Sequence, residues 1–309
     1  PLIAEGRLPP PQPLPQKGHP MTGFRLVMLS DTHVSGTHPF FFHNFDVALA
    51  AANALNPDVA IVTGDLSLNG PHAPADLDFA AAQMKRFDAP LVHMLPGNHD
   101  VGYSPAAANA EQQMTPERRQ EYLTRIGADF WHMDHGNWRF IGLNPFLFES
   151  GHEAEAEQRM MVVDALGHDG PIGVFTHVPF FAHHPDEYDK TTSATVTPGP
   201  RADFLSLFKA ANVQFVASGH LHRDKRMIFD GITHIWAPGT AFMSSGARSE
   251  DWGGVPWVGF LEFNFSGEHY SVQLHEPEDM LNIDLRNWAR GEGHRYFRIA
   301  AEPFRTPDA

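Results

Sequence analysis

From residue 25 onward the chain alternates short apolar runs with stretches of helical periodicity. The runs at 25–30, 59–63, 91–95, 138–143, 172–176, 213–218 and 233–237 are four to six residues of nearly continuous hydrophobicity, as expected of strands buried on both faces. Between them, 44–55 places Phe45, Leu49, Ala52 and Leu55 on one helical face, and 74–87 opens with a first-turn proline. Thr115-Pro116 reads as an N-cap with a proline at the first helical position, starting a helix that runs to about 126; further helices are expected at 153–166 and 201–211. Strand–helix alternation of this kind predicts an α/β fold built from βαβ units. After Gly239 the pattern changes to aromatic-rich alternation over 257–265 and 270–274 around Ser-Gly-Glu, which predicts a β-hairpin. Residues 1–23 are proline-rich and read as an extended arm. The expected divisions are the arm at 1–23, a core at 24–240, and a C-terminal hairpin and tail at 241–309 packed on that core.

Composition narrows the chemistry. A chain of 309 residues, 42% hydrophobic, can bury one large core. A net charge of −15 argues against a duplex nucleic-acid partner, because such binders neutralise phosphates with a basic surface. With no cysteine, disulfides, thiolate ligands and cysteine nucleophiles are excluded, so any metal site must use His, Asp, Glu, Asn or backbone oxygen. No run approaches the roughly 18 apolar residues of a membrane span, and no basic-then-apolar leader opens the chain, so no membrane partner and a cytoplasmic location are expected. Nothing in the composition speaks against a homo-oligomer.

The informative residues stand just past the end of each strand. The first apolar run leads into Asp31-Thr32-His33, the second into Gly64-Asp65, and the third into Gly97-Asn98-His99-Asp100. The run at 172–176 ends at His177, and that at 213–218 at Gly219-His220-Leu221-His222. Each piece alone has an ordinary explanation: a surface turn, a strand exit, a hydrogen-bonded core histidine. Five strands delivering metal-ligating side chains at their carboxyl ends are different, because open α/β sheets place their sites there. Asp65 suits a bridging role, since a carboxylate has two oxygens. Mixed nitrogen and oxygen donors without sulfur favour Mn, Fe, Zn, Co or Ni over Ca.

In order and spacing these blocks resemble the calcineurin-like metallophosphoesterase family, whose signature runs DxH, GD, GNH(D/E), an isolated H and GHxH; here they span 31–222. The resemblance implies a four-layer αββα sandwich of two mixed β-sheets flanked by helices. It further implies two divalent cations, most readily Mn, Fe or Zn. Asp31, His33, Asp65 and His222 would hold one; Asp65, Asn98, His177 and His220 would hold the other, with Asp65 and a hydroxide bridging them. His99 would be catalytic rather than a ligand, with Asp100 orienting it. Leu68 stands where purple acid phosphatases carry a tyrosine, and Leu68-Asn69-Gly70 replaces the Asp-Arg-Gly of protein Ser/Thr phosphatases. On that ground the sequence is most similar to the bacterial cyclic-nucleotide and glycerophosphodiester phosphodiesterase branch. The expected activity is hydrolysis of a small phosphodiester, with phosphomonoesterase as the alternative within the fold and a metal-free protein-binding scaffold as the alternative outside it. Asn69 and His72, just past the bridging aspartate, are the expected substrate contacts.

Overall fold

The structure is a computed structural model that describes residues 23–187, 193–244 and 251–285. The proline-rich arm up to residue 22, Trp288 and the rest of the tail lie outside the described residues. The strands are β1 (Phe24–Leu29), β2 (Val59–Thr63), β3 (Leu91–Leu95), β4 (Trp131–His135), β5 (Trp138–Leu143), β6 (Ile172–Thr176), β7 (Val213–Ser218), β8 (Lys225–Phe229), β9 (Ile232–Trp236), β10 (Phe260–Ser266) and β11 (His269–His275). The helices are α1 (Phe42–Ala54), α2 (Pro74–Met84), the single turn α3 (Asn98–Val101), α4 (Pro116–Arg125), α5 (Glu153–Ala165) and α6 (Pro198–Lys209). None of the described helices is long and apolar enough to cross a membrane.

Two mixed sheets form, one in the order β11-β10-β1-β2-β3 and the other β4-β5-β6-β7-β9-β8. Successive side chains on a strand point to opposite faces, and both faces here are covered. Leu26, Met28, Val59 and Ile61 of the first sheet meet Phe140, Phe175, Phe215, Ala217 and Ile235 of the second in an inter-sheet core. Their neighbours Val27, Leu29, Ala60 and Val62, with Ile141, Val174 and Val216, join Phe45 and Leu49 of α1, Leu77 of α2, Val162 of α5 and Phe208 of α6. Burial on both faces explains why these strands read as continuous apolar runs, and gives the expected helix–sheet–sheet–helix sandwich.

The structure departs from expectation at three points. The hairpin β10–β11 does not lie on top of the core; β10 pairs antiparallel with β1, Phe24 opposite Phe265 and Leu26 opposite Phe263, and so widens the first sheet. Its aromatic residues still reach the inter-sheet core, with Phe265 edge-on to Trp138 at 4.8 Å between ring centroids. Strands β4 and β8 were not expected, and both are edge strands. Helix α6 starts three residues earlier than its periodicity suggests, because Pro198 and Pro200 occupy first-turn positions whose N–H groups have no helical partner anyway.

Strands β1, β2 and β3 run parallel, as do β5, β6, β7 and β9. Their carboxyl ends therefore open onto one rim of each sheet.

Candidate metal centre and active-site cleft

The loops leaving the strands are laced together by backbone bonds before any side chain is considered. Asp31 N–H donates to Gly64 O at 3.0 Å, His33 N–H to Asp65 O at 2.9 Å, and Gly219 N–H to His177 O at 3.0 Å. Asp31, His33, Asp65, His220 and His222 all take left-handed backbone angles, with φ of 56°, 43°, 48°, 69° and 52°. Asp and His tolerate this region better than most residues, yet each such position costs on the order of 1–3 kcal/mol. The sharp turns bring the side chains back toward a common point. Gly97 makes room for one of them, since a Cβ there would overlap the carboxylate of Asp65.

All seven expected ligands converge. Asp65 Oδ2 lies 3.5 Å from His33 Nε2 on one side and 3.5 Å from His177 Nε2 on the other. On the first side His222 Nε2 is 3.2 Å from Asp31 Oδ1 and 3.4 Å from His33 Nε2. On the second, His177 Nε2 is 3.3 Å from Asn98 Oδ1 and 3.2 Å from His220 Nδ1. Asp31, His33 and His222 form one group able to hold a cation, Asp65, His177 and His220 another, and His33, Asp65 and His99 a third that overlaps both.

The hydrogen bonds at the back of each ring test whether a cation fits. His177 Nδ1 donates to Thr63 O at 2.8 Å, His220 Nε2 to Ser193 O at 2.7 Å, and His222 Nδ1 to Phe242 O at 2.7 Å. In a neutral imidazole the other nitrogen is then a lone pair. When both rings are neutral, as metal ligation requires, the inward nitrogens of His177 and His220 face each other as acceptors beside carboxylate and amide oxygens, an arrangement that calls for positive charge between them. His33 differs, its Nδ1 being buried without a hydrogen bond.

The charges agree. Burial works against a charged His177, but Asp65 and Asp31 outweigh it and hold the imidazole up at about 9. Burial also opposes a charged His222, and Asp31 prevails there too. His220, buried beside His177, is pushed down to about 4, and burial takes His33 well below its ordinary value. Burial would raise the Asp31 and Asp65 carboxyls, yet His222 and His177 respectively hold them below the usual range.

His99 stands next to the first group, its ring 4.6 Å from that of His33. The sequence suggested Asp100 as its orienting partner, and the structure gives another. His99 Nδ1 donates to the carbonyl of Leu68 at 2.7 Å. The Asp100 carboxylate is fully committed elsewhere, accepting from the N–H groups of Leu66, Ser67 and Gly97 and from Ser67 Oγ at 2.7–3.0 Å. It ties the loop after β2 to the loop after β3, and so fixes Asp65 against Asn98 and His99.

The centre opens into a cleft of about 280 Å³. Asn69 and His72 do not line it; His72 instead pairs with Arg118 on the surface at 3.3 Å. Its walls are Tyr103, Ser193, Ala194, Leu221, Phe242, Ser244 and Trp252, none of which stood out in the sequence as a contact. Phe242 stacks on His222 at 4.1 Å and on His33 at 5.0 Å, and so shields two ligands from water. Trp252 borders the cleft, with Lys225 donating to its carbonyl at 2.7 Å.

A two-sheet sandwich with paired Asp/His/Asn ligand sets at its carboxyl rim defines a dinuclear metallophosphoesterase. The family described as calcineurin-like phosphoesterase matches residues 24–224, and this chain belongs to it. Among curated relatives, the zebrafish serine/threonine-protein phosphatase CPPED1 is 31% identical over 263 residues, covering 77% of this chain and 78% of that protein. Human CPPED1 is 27% identical over 193 residues, and the match spans 58% of its length. Of solved structures, the purple acid phosphatase PPD1 from yellow lupin is 14% identical with a TM-score of 0.59, covering 85% of this chain and 53% of that one. A dimetal phosphatase from zebrafish is 14% identical with a TM-score of 0.53, covering 82% and 96%. These likenesses carry the fold.

Proposed function

We propose that the chain is a two-metal phosphoesterase acting on phosphomonoesters. The observation that carries the hydrolase reading is the position of Asp65 Oδ2, 3.5 Å from imidazoles of both ligand groups. Asp31, His33, Asp65 and His222 would hold one cation, and Asp65, Asn98, His177 and His220 the other. The mixed nitrogen and oxygen donors suit Mn, Fe or Zn. When bound, such a pair supplies Lewis-acid polarisation of phosphoryl oxygens and lowers the pKa of water toward ~7.

The protein's own groups do the rest. Leu68 O holds the His99 ring so that Nε2 faces the cleft, where a protonated His99 gives its proton to the departing oxygen. The Asp100 bonds keep Asp65, Asn98 and His99 in register, and Phe242 keeps water off the back of the centre. The monoester preference is supported by the relatives, which are named serine/threonine-protein phosphatases.

One observation favours a diester as a second reading. Among the described residues that line the cleft there is no Lys or Arg. Two divalent ions facing the carboxylates of Asp31 and Asp65 leave about one net positive charge once the attacking water has lost its proton. A monoanionic diester neutralises that charge, whereas a dianionic monoester exceeds it. Steady-state rates on p-nitrophenyl phosphate and bis(p-nitrophenyl) phosphate, with Mn²⁺ and after chelation, separate the readings. The monoester should turn over faster, with both activities lost on chelation and restored by Mn²⁺. A faster diester establishes the second reading, and activity that survives complete metal removal overturns both.

A further inference from the structure

We propose that Tyr103 binds substrate, its phenol hydroxyl donating a hydrogen bond to a non-bridging phosphoryl oxygen of the ester on the His177–His220 side of the centre. The inference rests on the phosphoesterase reading above and adds a residue to it.

Tyr103 lines the cleft together with Asp65, Asn98, His99 and His220. Its ring stands nearly perpendicular to that of His220, at 74° and 6.4 Å between centroids. The phenol makes no hydrogen bond with any described residue. An aromatic hydroxyl beside a charged centre with its donor unspent is a binding group in waiting. An ordinary phenol, with a pKa of about 10, keeps its proton at neutral pH, so Tyr103 serves as a donor.

The backbone holds it in place. Tyr103 N–H donates to Gln112 O at 2.8 Å, and Met114 N–H donates to Tyr103 O at 2.7 Å. Gly102, at φ 92°, makes the turn out of α3 where a side chain would press on Gln112 and Gln113. Gln113 Nε2 then closes the segment on itself by donating to Ala108 O at 2.8 Å. Tyr103 is thereby fixed one turn beyond Asn98 and His99, on a strap rather than a loose loop. His99 overlies the His33 side and Tyr103 the His220 side, so a phosphoryl group spanning the centre meets a donor at each end. A neutral donor there also suits a cleft whose described lining lacks Lys and Arg.

The test is Tyr103→Phe in the full, Mn²⁺-loaded chain, assayed on p-nitrophenyl phosphate and on phenyl phosphate, whose leaving group is poorer. Binding of inorganic phosphate is measured in parallel by calorimetry. Loss of one hydrogen bond to a charged oxygen predicts kcat/KM lower by roughly 10- to 100-fold, by the same factor on both substrates. Phosphate affinity should weaken in parallel, with metal content and Tm unchanged. Unchanged phosphate affinity, a loss confined to phenyl phosphate, or loss of metal would each overturn the assignment. If the wild-type chain hydrolyses neither ester but binds phosphate in a Tyr103-dependent way, the phosphoesterase reading fails and the role of Tyr103 stands.

Discussion

A carboxylate oxygen 3.5 Å from imidazoles on opposite sides, as Asp65 Oδ2 is, leaves neither ion position complete without it. Asp65→Ala should therefore release both metals, and elemental analysis after gel filtration should find fewer than one equivalent per chain. His99 should have a different signature, because its Nδ1 is spent on Leu68 O and its ring adjoins the first ligand group. His99→Ala should lower kcat by about 10²–10⁴-fold while metal content stays near two equivalents; loss of metal would make His99 a ligand. At this scale the ligands were legible because both residue type and position after a strand announced them. The partners of Asp100 across the site were not, since apart from the local cap on Gly97 its carboxylate accepts from the backbone amides of Leu66 and Ser67, which only tertiary contact brings near. Asn69 and His72 stand outside the cleft lining for a related reason: nearness in sequence to Asp65 says nothing about which way the chain turns next. Tyr103, Phe242 and Trp252 come from segments without strand or helix periodicity, so no pattern marked them as cleft walls.

The two strands that sequence reading missed lie at the edges of the second sheet. In β4, buried Trp131 alternates with exposed His132, and β8 opens with Lys225-Arg226. Charge is common on edge strands because it discourages further pairing, and the same charge removes the apolar run that announces a strand. A better signal was present in the turn. Asp230 and Gly231, at φ 49° and 81°, connect β8 to β9 in a two-residue hairpin that requires left-handed angles at both positions. A Cβ at Gly231 would meet nothing within 4 Å, so its substitution isolates the backbone cost. Gly231→Ala should lower stability by about 1 kcal/mol in urea unfolding, with kcat/KM unchanged. A cost near zero would mean that the turn relaxes to another type.

For the molecule as a whole, acid stability reports on a histidine remote from the metals. His234 in β9 is buried against Phe181 at 4.5 Å, with Nε2 unpartnered, and burial alone pushes its pKa down to about 4. The unfolded chain takes up a proton near pH 6.5 and the folded chain near 4, so stability present above pH 6.5 is lost as pH falls through that window. The loss is on the order of 3 kcal/mol and levels off below pH 4. His234→Phe keeps the ring and removes the titration. Its denaturation midpoint should fall less than that of wild type between pH 7 and 4.5, and parallel pH profiles for the two proteins would refute the linkage.

The route of the chain through the centre has a further consequence at the same scale. Asp31, His33, Asp65 and Asn98 arrive from the first sheet, and His177, His220 and His222 from the second, so each ion would draw donors from both. Filling the centre would then rivet the two halves of the sandwich across their seam, adding mechanical coupling to chemistry. Anything that loosens one sheet's grip on the other, however far from the cleft, should register first as weaker hold on metal.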